Sequence, residues 1–176
     1  MSRWHVLVLV VVLGLGAGVG WISAQQAGSA PGVLTGQDYA EIYQLYSRYA
    51  QGTDFREGEL WLSVFTDDAV FQPGADADDV VGMDALKEWR AQNFAARPPE
   101  RQTRHWNSGW VITPTPGGAT GRIYFLGVDV SSGRPALGGS GHYEDVYVKT
   151  SAGWRIRERR FTSDTSMHWV NGALSG

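Results

Sequence analysis

The chain has 176 residues, a formal net charge of −3, and 15 Lys and Arg residues against 18 Asp and Glu. This length suits one domain with a single core, and the scattered basic residues create no field that would attract nucleic acid or an anionic membrane surface. The sequence contains no cysteine, which excludes disulfides, thiol catalysis and thiolate metal sites. We therefore expect no nucleic-acid partner and a fold stabilised by packing.

The N-terminal segment predicts export. Arg3 precedes an uncharged run over residues 6–22, and a small-residue cleavage pattern ends at Ala24. We expect residues 1–24 to be a signal peptide and residues 25–34 to be a flexible lead-in, which makes the mature protein periplasmic or secreted. In the alternative, the run stays uncleaved and anchors the chain in the membrane, although it falls short of the ~20 residues of a full span.

The first predicted helix begins at a capping box. Thr35 and Asp38 have the required spacing, and apolar residues repeat at helical intervals behind them to about residue 51. Gly52 should end this helix, and Asp54 should open a short second one. The two helices are therefore expected to meet near Asp54.

Strands dominate the second half of the chain. A short strand over residues 68–71, with a partner at residues 80–81, precedes a third helix over residues 83–96. Longer strands, separated by turn residues, are predicted over residues 104–113, 119–130, 140–150 and 154–163. Helices followed by antiparallel strands indicate an α+β domain over residues 35–165, with a tail over residues 166–176. The many aromatic residues either fill the core or line a pocket for an apolar ligand.

Four short motifs resemble one family when they are taken in order. They are RYAQGTD at residues 48–54, FTDDAVF at residues 65–71, TRHWNSG at residues 103–109 and YEDVYVKTSAGWRI at residues 143–156. Together they resemble the SnoaL-like branch of the nuclear transport factor 2-like superfamily over residues 35–163. The resemblance implies a cystatin-like roll, in which a cone-shaped antiparallel or mixed sheet wraps around three N-terminal helices. It also implies a deep pocket, which enzymes and plain binding proteins share.

The pocket positions are similar to those of scytalone dehydratase and hexachlorocyclohexane dehydrochlorinase, which pair an Asp at the end of the first helix with a His on the strand after the third. Asp54 and His105 occupy these positions. The resemblance implies that His105 is a base and Asp54 its orienting partner, because a carboxylate fixes the imidazole tautomer. Tyr49 would donate a hydrogen bond or proton to the leaving group. In the alternative, Asp54 caps the second helix, and the other two residues are structural.

Five further residues are candidates for contact with the substrate: Asn107, Asp129, Tyr143, Trp61 and Phe65. Asn107 lies two residues after His105 and therefore on the same strand face. Asp129 falls near the position from which related dehydratases supply another polar group. His142 and Tyr143 lie on opposite faces of one strand, so at most one of them reaches the pocket, and the sequence leaves open which.

The other polar groups of the sequence give weaker indications of a functional site. Gln72 stands near the place of the base carboxylate of ketosteroid isomerase, and because an amide cannot accept the proton, steroid isomerisation is disfavoured. The acidic turn at residues 76–79 lacks the closing Gly and Glu of a calcium loop, so we expect no metal there. Arg155, Arg157 and Arg159 alternate along the last strand and are expected to share one solvated or ion-paired face. No cofactor-binding motif is present in the sequence.

The leading hypothesis is a cofactor-independent lyase that acts by proton abstraction and elimination, most simply dehydration, on a small hydrophobic cyclic molecule. One alternative is an exported binding protein that uses the same pocket without chemistry. Another is a structural domain that forms a dimer or trimer. In that case Trp106 and Trp110, which should point away from the pocket, would lie on an exposed sheet face.

Overall fold

The computed structural model describes residues 32–164, so the predicted signal peptide, most of the lead-in and the tail lie outside the described residues. Within the described range, no helix is long and apolar enough to span a membrane. The export prediction and its membrane-anchored alternative stay predictions. The helices are α1 (Gly36–Asp54), α2 (Gly58–Leu62) and α3 (Met83–Ala96), and the strands are β1 (Phe65–Gln72), β2 (Val80–Val81), β3 (Thr103–Thr115), β4 (Gly118–Asp129), β5 (Ala136–Thr150) and β6 (Gly153–Ser163).

The strands form one mixed sheet in the order β2-β1-β6-β5-β4-β3. β1 pairs in parallel with β6, and every other neighbouring pair is antiparallel. Four long strands, β3 to β6, therefore follow one another as three hairpins, and the helices pack against the inner face of the sheet that these hairpins form. This architecture confirms the predicted α+β class and the cone-shaped sheet around the helices.

The core lies between α1, α2 and the inner face of the sheet. Helix α1 contributes apolar residues at helical spacing, and the sheet contributes alternate residues of its long strands. The most completely buried of these side chains include Ile42, Tyr46, Trp61, Val64, Phe71, Leu86, Ile123, Tyr147 and Ile156. Aromatic residues therefore fill much of the core.

Gly52 lies inside α1, so the prediction that it ends the helix is wrong. A Cβ atom at this position would stand 2.6 Å from the backbone nitrogen of Trp61. Because α2 crosses α1 at this point, only a residue without a side chain allows the approach. The helix therefore continues to Asp54, whose side chain is placed by the last turn of α1.

Asp38 ties the start of α1 to the β5–β6 hairpin. The capping box is confirmed: Asp38 Oδ2 accepts from the backbone N–H of Thr35 at 2.8 Å, and Thr35 Oγ1 accepts from the N–H of Asp38 at 3.2 Å. Asp38 Oδ1 also accepts from Lys149 Nζ at 2.6 Å and from Trp154 Nε1 at 2.8 Å. Burial disfavours the carboxylate, but these hydrogen bonds outweigh it and hold the pKa of Asp38 well below its usual value of 3.8.

A bulge in β6 turns Arg159 into the core. Arg157 has no partner in the register of β5 with β6, and its side chain is exposed. Ile156 before the bulge and Arg159 after it are both fully buried. The prediction that the arginines at 155, 157 and 159 share one face is wrong, because the bulged residue shifts the alternation of the strand by one.

A second bulge, in β3, turns Trp110 toward α1. The pairing of β3 with β4 is irregular around this residue. The Trp110 ring lies 5.0 Å from the ring of Tyr43 and 6.3 Å from that of Tyr46, measured between centroids. Trp110 is therefore 38% exposed and packs on α1, whereas Trp106, ahead of the bulge, is 62% exposed.

The outer face of the β3–β4 hairpin leaves two large aromatic side chains in solvent. Trp106 is 62% exposed and Tyr124 is 63% exposed. Tyr124 lies on the neighbouring strand, two residues before Leu126, the pairing partner of Trp106. Contiguous apolar surface of this kind is typical of association surfaces. The expected dimer or trimer stays a prediction.

Replacement of Gly52 with Ala should lower the free energy of unfolding by about 1–3 kcal/mol, because the added methyl group collides with the backbone of α2. Gly36→Ala is the matched control, since nothing lies within 4 Å of its added Cβ. Urea unfolding of both variants checks the expectation. Equal stability of the two variants would contradict the close helix crossing.

Asp38→Asn should lower the free energy of unfolding by about 2 kcal/mol near neutral pH, because the hydrogen bonds to the carboxylate lose their charge. The pKa of Asp38 is lowered in the folded state, so its contribution is complete above the unfolded value and is lost as the pH falls below it. The stability difference between wild type and variant should therefore shrink between about pH 5 and pH 2. Asp84→Asn, in an exposed pair with Lys87, should show no such pH dependence.

Candidate functional site

A cavity of about 870 Å³ lies between α3 and the inner face of the sheet. Its volume is typical of small-molecule sites. The apolar part of the lining, here called the aromatic wall, consists of Tyr49, Phe71, Trp89, Phe125, Tyr143 and Phe161. The polar side chains of the lining include Arg90, Arg97, Arg101, Thr103, His105 and Asp129. Apolar rings and a few convergent polar groups therefore share one cavity, the arrangement in which a ligand is both buried and oriented.

Asp54 and His105 meet at the edge of this cavity. Asp54 is the last residue of α1, and His105 lies near the start of β3. The distance between His105 Nδ1 and Asp54 Oδ1 is 2.6 Å, and the backbone N–H of His105 donates to Asp54 Oδ2 at 2.8 Å. Only 5% of the Asp54 side chain and 17% of the His105 side chain are exposed. The carboxylate therefore fixes both the strand and the ring.

The alternative in which Asp54 caps the second helix is wrong. The N-cap of α2 is Glu57, and no side chain caps that helix. The carboxylate of Asp54 is instead turned to β3. Because an ionised carboxylate only accepts hydrogen bonds, Nδ1 of His105 carries a proton in this contact. The neutral ring then has Nε2 available, with a free lone pair, to a ligand in the cavity that His105 lines.

Two further side chains hold this pair in place. Thr103 Oγ1 donates to Asp54 Oδ1 at 3.1 Å and accepts from Arg97 Nη2. Arg97 Nη1 also donates to the carbonyl oxygen of Thr53 at 3.1 Å, so the arginine links α3 to the end of α1. Burial, followed by the nearby Arg56 and Arg101, lowers the pKa of Arg97, while Asp54 opposes that shift. The Asp54 carboxylate is thus held by hydrogen bonds and by a nearby positive charge.

Tyr49 lines the cavity within the aromatic wall. Its ring lies 5.7 Å from the ring of Tyr143, and its side chain interacts with Tyr143 and with the guanidinium of Arg90. Burial, followed by the proximity of Tyr49, raises the pKa of Tyr143 well above its usual value. Tyr143 therefore remains a neutral phenol that donates a hydrogen bond. Phe125 bridges this group to His105, with ring centroids at 5.1 Å.

The other predicted contact residues fall into two groups. Tyr143 and Asp129 line the cavity, and Tyr143 rather than His142 is the residue of that strand that reaches it. Asp129 Oδ1 accepts from the backbone N–H of Ser131 at 2.8 Å, and this contact holds the pKa of Asp129 below its usual value. Its carboxylate is therefore engaged in the turn that follows β4.

Asn107, Trp61 and Phe65 lie outside the lining. Asn107 Oδ1 is buried and has no hydrogen-bond partner among the residues described. Trp61 and Phe65 belong to the core, where their rings lie 5.6 Å and 6.3 Å from the ring of Tyr49. The structure places the two aromatic residues behind the cavity, where they support Tyr49.

A fully buried ion pair lies beneath the aromatic wall. Arg159 donates to both oxygens of Asp145 at 2.8 Å, and Asp145 Oδ2 also accepts from the hydroxyl of Tyr46 at 2.5 Å. The guanidinium of Arg159 lies 4.3 Å from the ring centroid of Tyr49 and 4.5 Å from that of Tyr143. The guanidinium of this pair therefore packs against the rings of Tyr49 and Tyr143 from the side opposite the cavity.

The functional candidates that the sequence did not identify are mostly arginines. Arg90 follows the buried Leu86 by four residues on α3, a spacing that places both on the inner face of the helix. Thr103 precedes His105 by two residues, so both point to one side of β3. Arg159 gave no usable signal, because the bulge that turns it inward is not visible in the sequence.

Residues 35–160 match the family model of the SnoaL-like domain. A protein of unknown function with a cystatin-like fold from Nostoc punctiforme is similar, with a TM-score of 0.66 and 24% identity over 76% of this chain and 96% of its own. A protein from Catenulispora acidiphila, solved in complex with S-DNPA, has a TM-score of 0.64 and 25% identity over 72% and 92% of the two chains. A candidate aromatic ring hydroxylase from Novosphingobium aromaticivorans has a TM-score of 0.65 and 26% identity over 76% and 93%. No curated protein matches the sequence.

Asp145→Asn should lower the free energy of unfolding by about 3–5 kcal/mol, because it leaves the charge of Arg159 buried without compensation. The control is Asp79→Asn, which breaks an ion pair with Arg160 at the surface and should cost less than about 1 kcal/mol. Chemical unfolding of both variants measures the difference. Losses of similar size would show that the buried pair does not stabilise the fold in this way.

Proposed function

The chain belongs to the SnoaL-like family of the nuclear transport factor 2-like superfamily, and we propose that within it the protein is a cofactor-independent lyase. The reaction is proton abstraction followed by elimination, most simply dehydration, on a small hydrophobic cyclic molecule. One observation carries this proposal: an imidazole that lines the cavity, His105, has its Nδ1 2.6 Å from the carboxylate of Asp54. A carboxylate that fixes the tautomer of a histidine leaves its other ring nitrogen to serve as a general base.

In the proposed reaction, Nε2 of His105 takes a proton from the carbon next to the one that bears the hydroxyl group. The electron pair of that C–H bond becomes the new carbon–carbon double bond, and the C–O bond breaks. Tyr49 donates a proton to the departing oxygen, so that water leaves. The imidazolium then returns its proton through solvent to the phenolate of Tyr49, and both side chains are restored.

The surroundings of the two groups support these roles. Asp54 stabilises the imidazolium that forms on His105, and it does so without contact with the substrate. Tyr49 is buried among rings, where a hydrogen bond to developing negative charge is stronger than in water. The aromatic wall favours an apolar, cyclic substrate, because flat rings pack against flat rings. The similar protein from Catenulispora acidiphila was solved in complex with S-DNPA, which supports a ligand-binding role for this fold.

A ligand must be found before turnover is measured. Steroids, aromatic polyketides and terpenoids are the classes to screen, by their effect on the thermal unfolding of the mature domain, because a ligand that binds the folded state raises the unfolding temperature. A compound that binds is then incubated with the protein, and the loss of substrate and gain of the unsaturated product are followed. Binding without consumption of any compound would favour the non-catalytic binding protein.

His105→Ala should reduce turnover by about 10²–10⁴-fold, while the unfolding temperature and the affinity for the ligand change little. Asp54→Asn should reduce turnover as well, because it removes the charge that stabilises the imidazolium. His142→Ala is the matched control, since His142 is half-buried on the same sheet but does not line the cavity. Full activity of the His105→Ala variant would end the proposal.

A further inference from the structure

Arg90 is a buried cation on the wall of the cavity. The residue is 4% exposed, and its guanidinium lies 3.8 Å from the ring centroid of Trp61. Its Nη1 donates to Asn93 Oδ1 at 3.3 Å, and it interacts with Tyr49. Nε is buried without a hydrogen-bond partner, and within residues 32–164 no carboxylate forms an ion pair with Arg90.

The contrast with Arg159 shows what Arg90 lacks. Both guanidinium groups are buried and both lie over aromatic rings, but Arg159 is matched by two hydrogen bonds from its nitrogens to the carboxylate of Asp145. A buried charge without a partner is costly, and contact with a ring recovers only part of that cost. Arg159 lies behind the cavity tyrosines and is not part of the lining, whereas Arg90 belongs to it. The missing counter-charge of Arg90 can therefore come from a ligand.

The other charged residues of the lining also favour a negatively charged ligand. Arg97 and Arg101 line the cavity together with Arg90, and the carboxylate of Asp129 in the lining offsets only part of the charge of Arg97 and Arg101. Burial lowers the pKa of Arg90 to about 10, so the group is still protonated at neutral pH. The cavity is therefore electropositive although the chain as a whole carries a net charge of −3.

We infer that the ligand of this cavity is a carboxylate: an apolar ring system whose acid group is bound by Arg90, beside the phenol of Tyr49. The planar fork of an arginine matches the two oxygens of a carboxylate, which gives orientation as well as affinity. This inference rests on the proposed function only in taking the cavity as the substrate site. A neutral ring compound of the same shape would leave Arg90 unpaired and is discriminated against for that reason.

The test compares two probes of the same shape, a negatively charged naphthalene carboxylate and the corresponding neutral naphthalene carboxamide, by calorimetric titration at neutral pH. The wild type should bind the carboxylate at least about tenfold more tightly than the carboxamide. Arg90→Met, which keeps an apolar chain of similar length against Trp61, should abolish this preference. Arg157→Met, which removes an exposed arginine on the bulge of β6, should retain it.

Two outcomes would overturn the inference: the wild type binds the carboxylate no more tightly than the carboxamide, or Arg90→Met keeps the preference. The wild-type comparison decides even if Arg90→Met does not fold, and Arg90→Lys, which keeps the charge but loses the fork, should bind the carboxylate with intermediate affinity. The His105→Ala variant separates this inference from the proposed reaction. It should keep the preference for the carboxylate while it loses turnover, because Arg90 binds independently of the base.

Discussion

The buried pair of Asp145 and Arg159 is the interaction on which the rest of the structure depends. It joins β5 to β6, and through the hydroxyl of Tyr46 it joins both strands to α1. The pair fixes the register of β5 against β6, because a shift by one residue would separate two buried charges in the core at a large cost in stability. The pair therefore fixes the helix against the sheet, and the tyrosines of the cavity rest on the guanidinium.

The site is assembled from the ends of rigid elements. Helix α1 ends at Asp54, β3 starts two residues before His105, and Arg97 follows the last turn of α3. Each group is held by more than one contact, since Asp54 accepts from the ring and the backbone of His105 and from Thr103. In the proposed reaction, a base whose ring and tautomer are fixed before a ligand arrives needs little reorganisation.

The two buried arginines have different roles: Arg159 stabilises the fold, and Arg90 is proposed to bind the ligand. Arg159 forms an ion pair with Asp145, so its charge stabilises the fold. Arg90 has no such partner among the described residues, and it lines the cavity. A site with the imidazole of His105 at one place and the guanidinium of Arg90 at another would impose an orientation on any ligand that contacts both. Together with the aromatic wall, these two groups favour an acidic ligand that contains a ring. They restrict the class of ligand more than the shape of the cavity does.

The sequence by itself determined the α+β class, the capping box and the bounds of α3, because periodicity and caps are local signals. The pairing of Asp54 with His105 was predicted only through the resemblance of four ordered motifs to a known family. Only the tertiary structure decided that α1 passes through Gly52, that Tyr143 and not His142 reaches the cavity, and that Arg159 lies inside. The course of α1 through Gly52 depends on a helix crossing, and the burial of Arg159 depends on the bulge in β6. A bulge of one residue reverses the faces of a strand without changing its composition. The open charge of Arg90 was likewise invisible, because a cation is recognised as unpaired only when all of its neighbours in space are known.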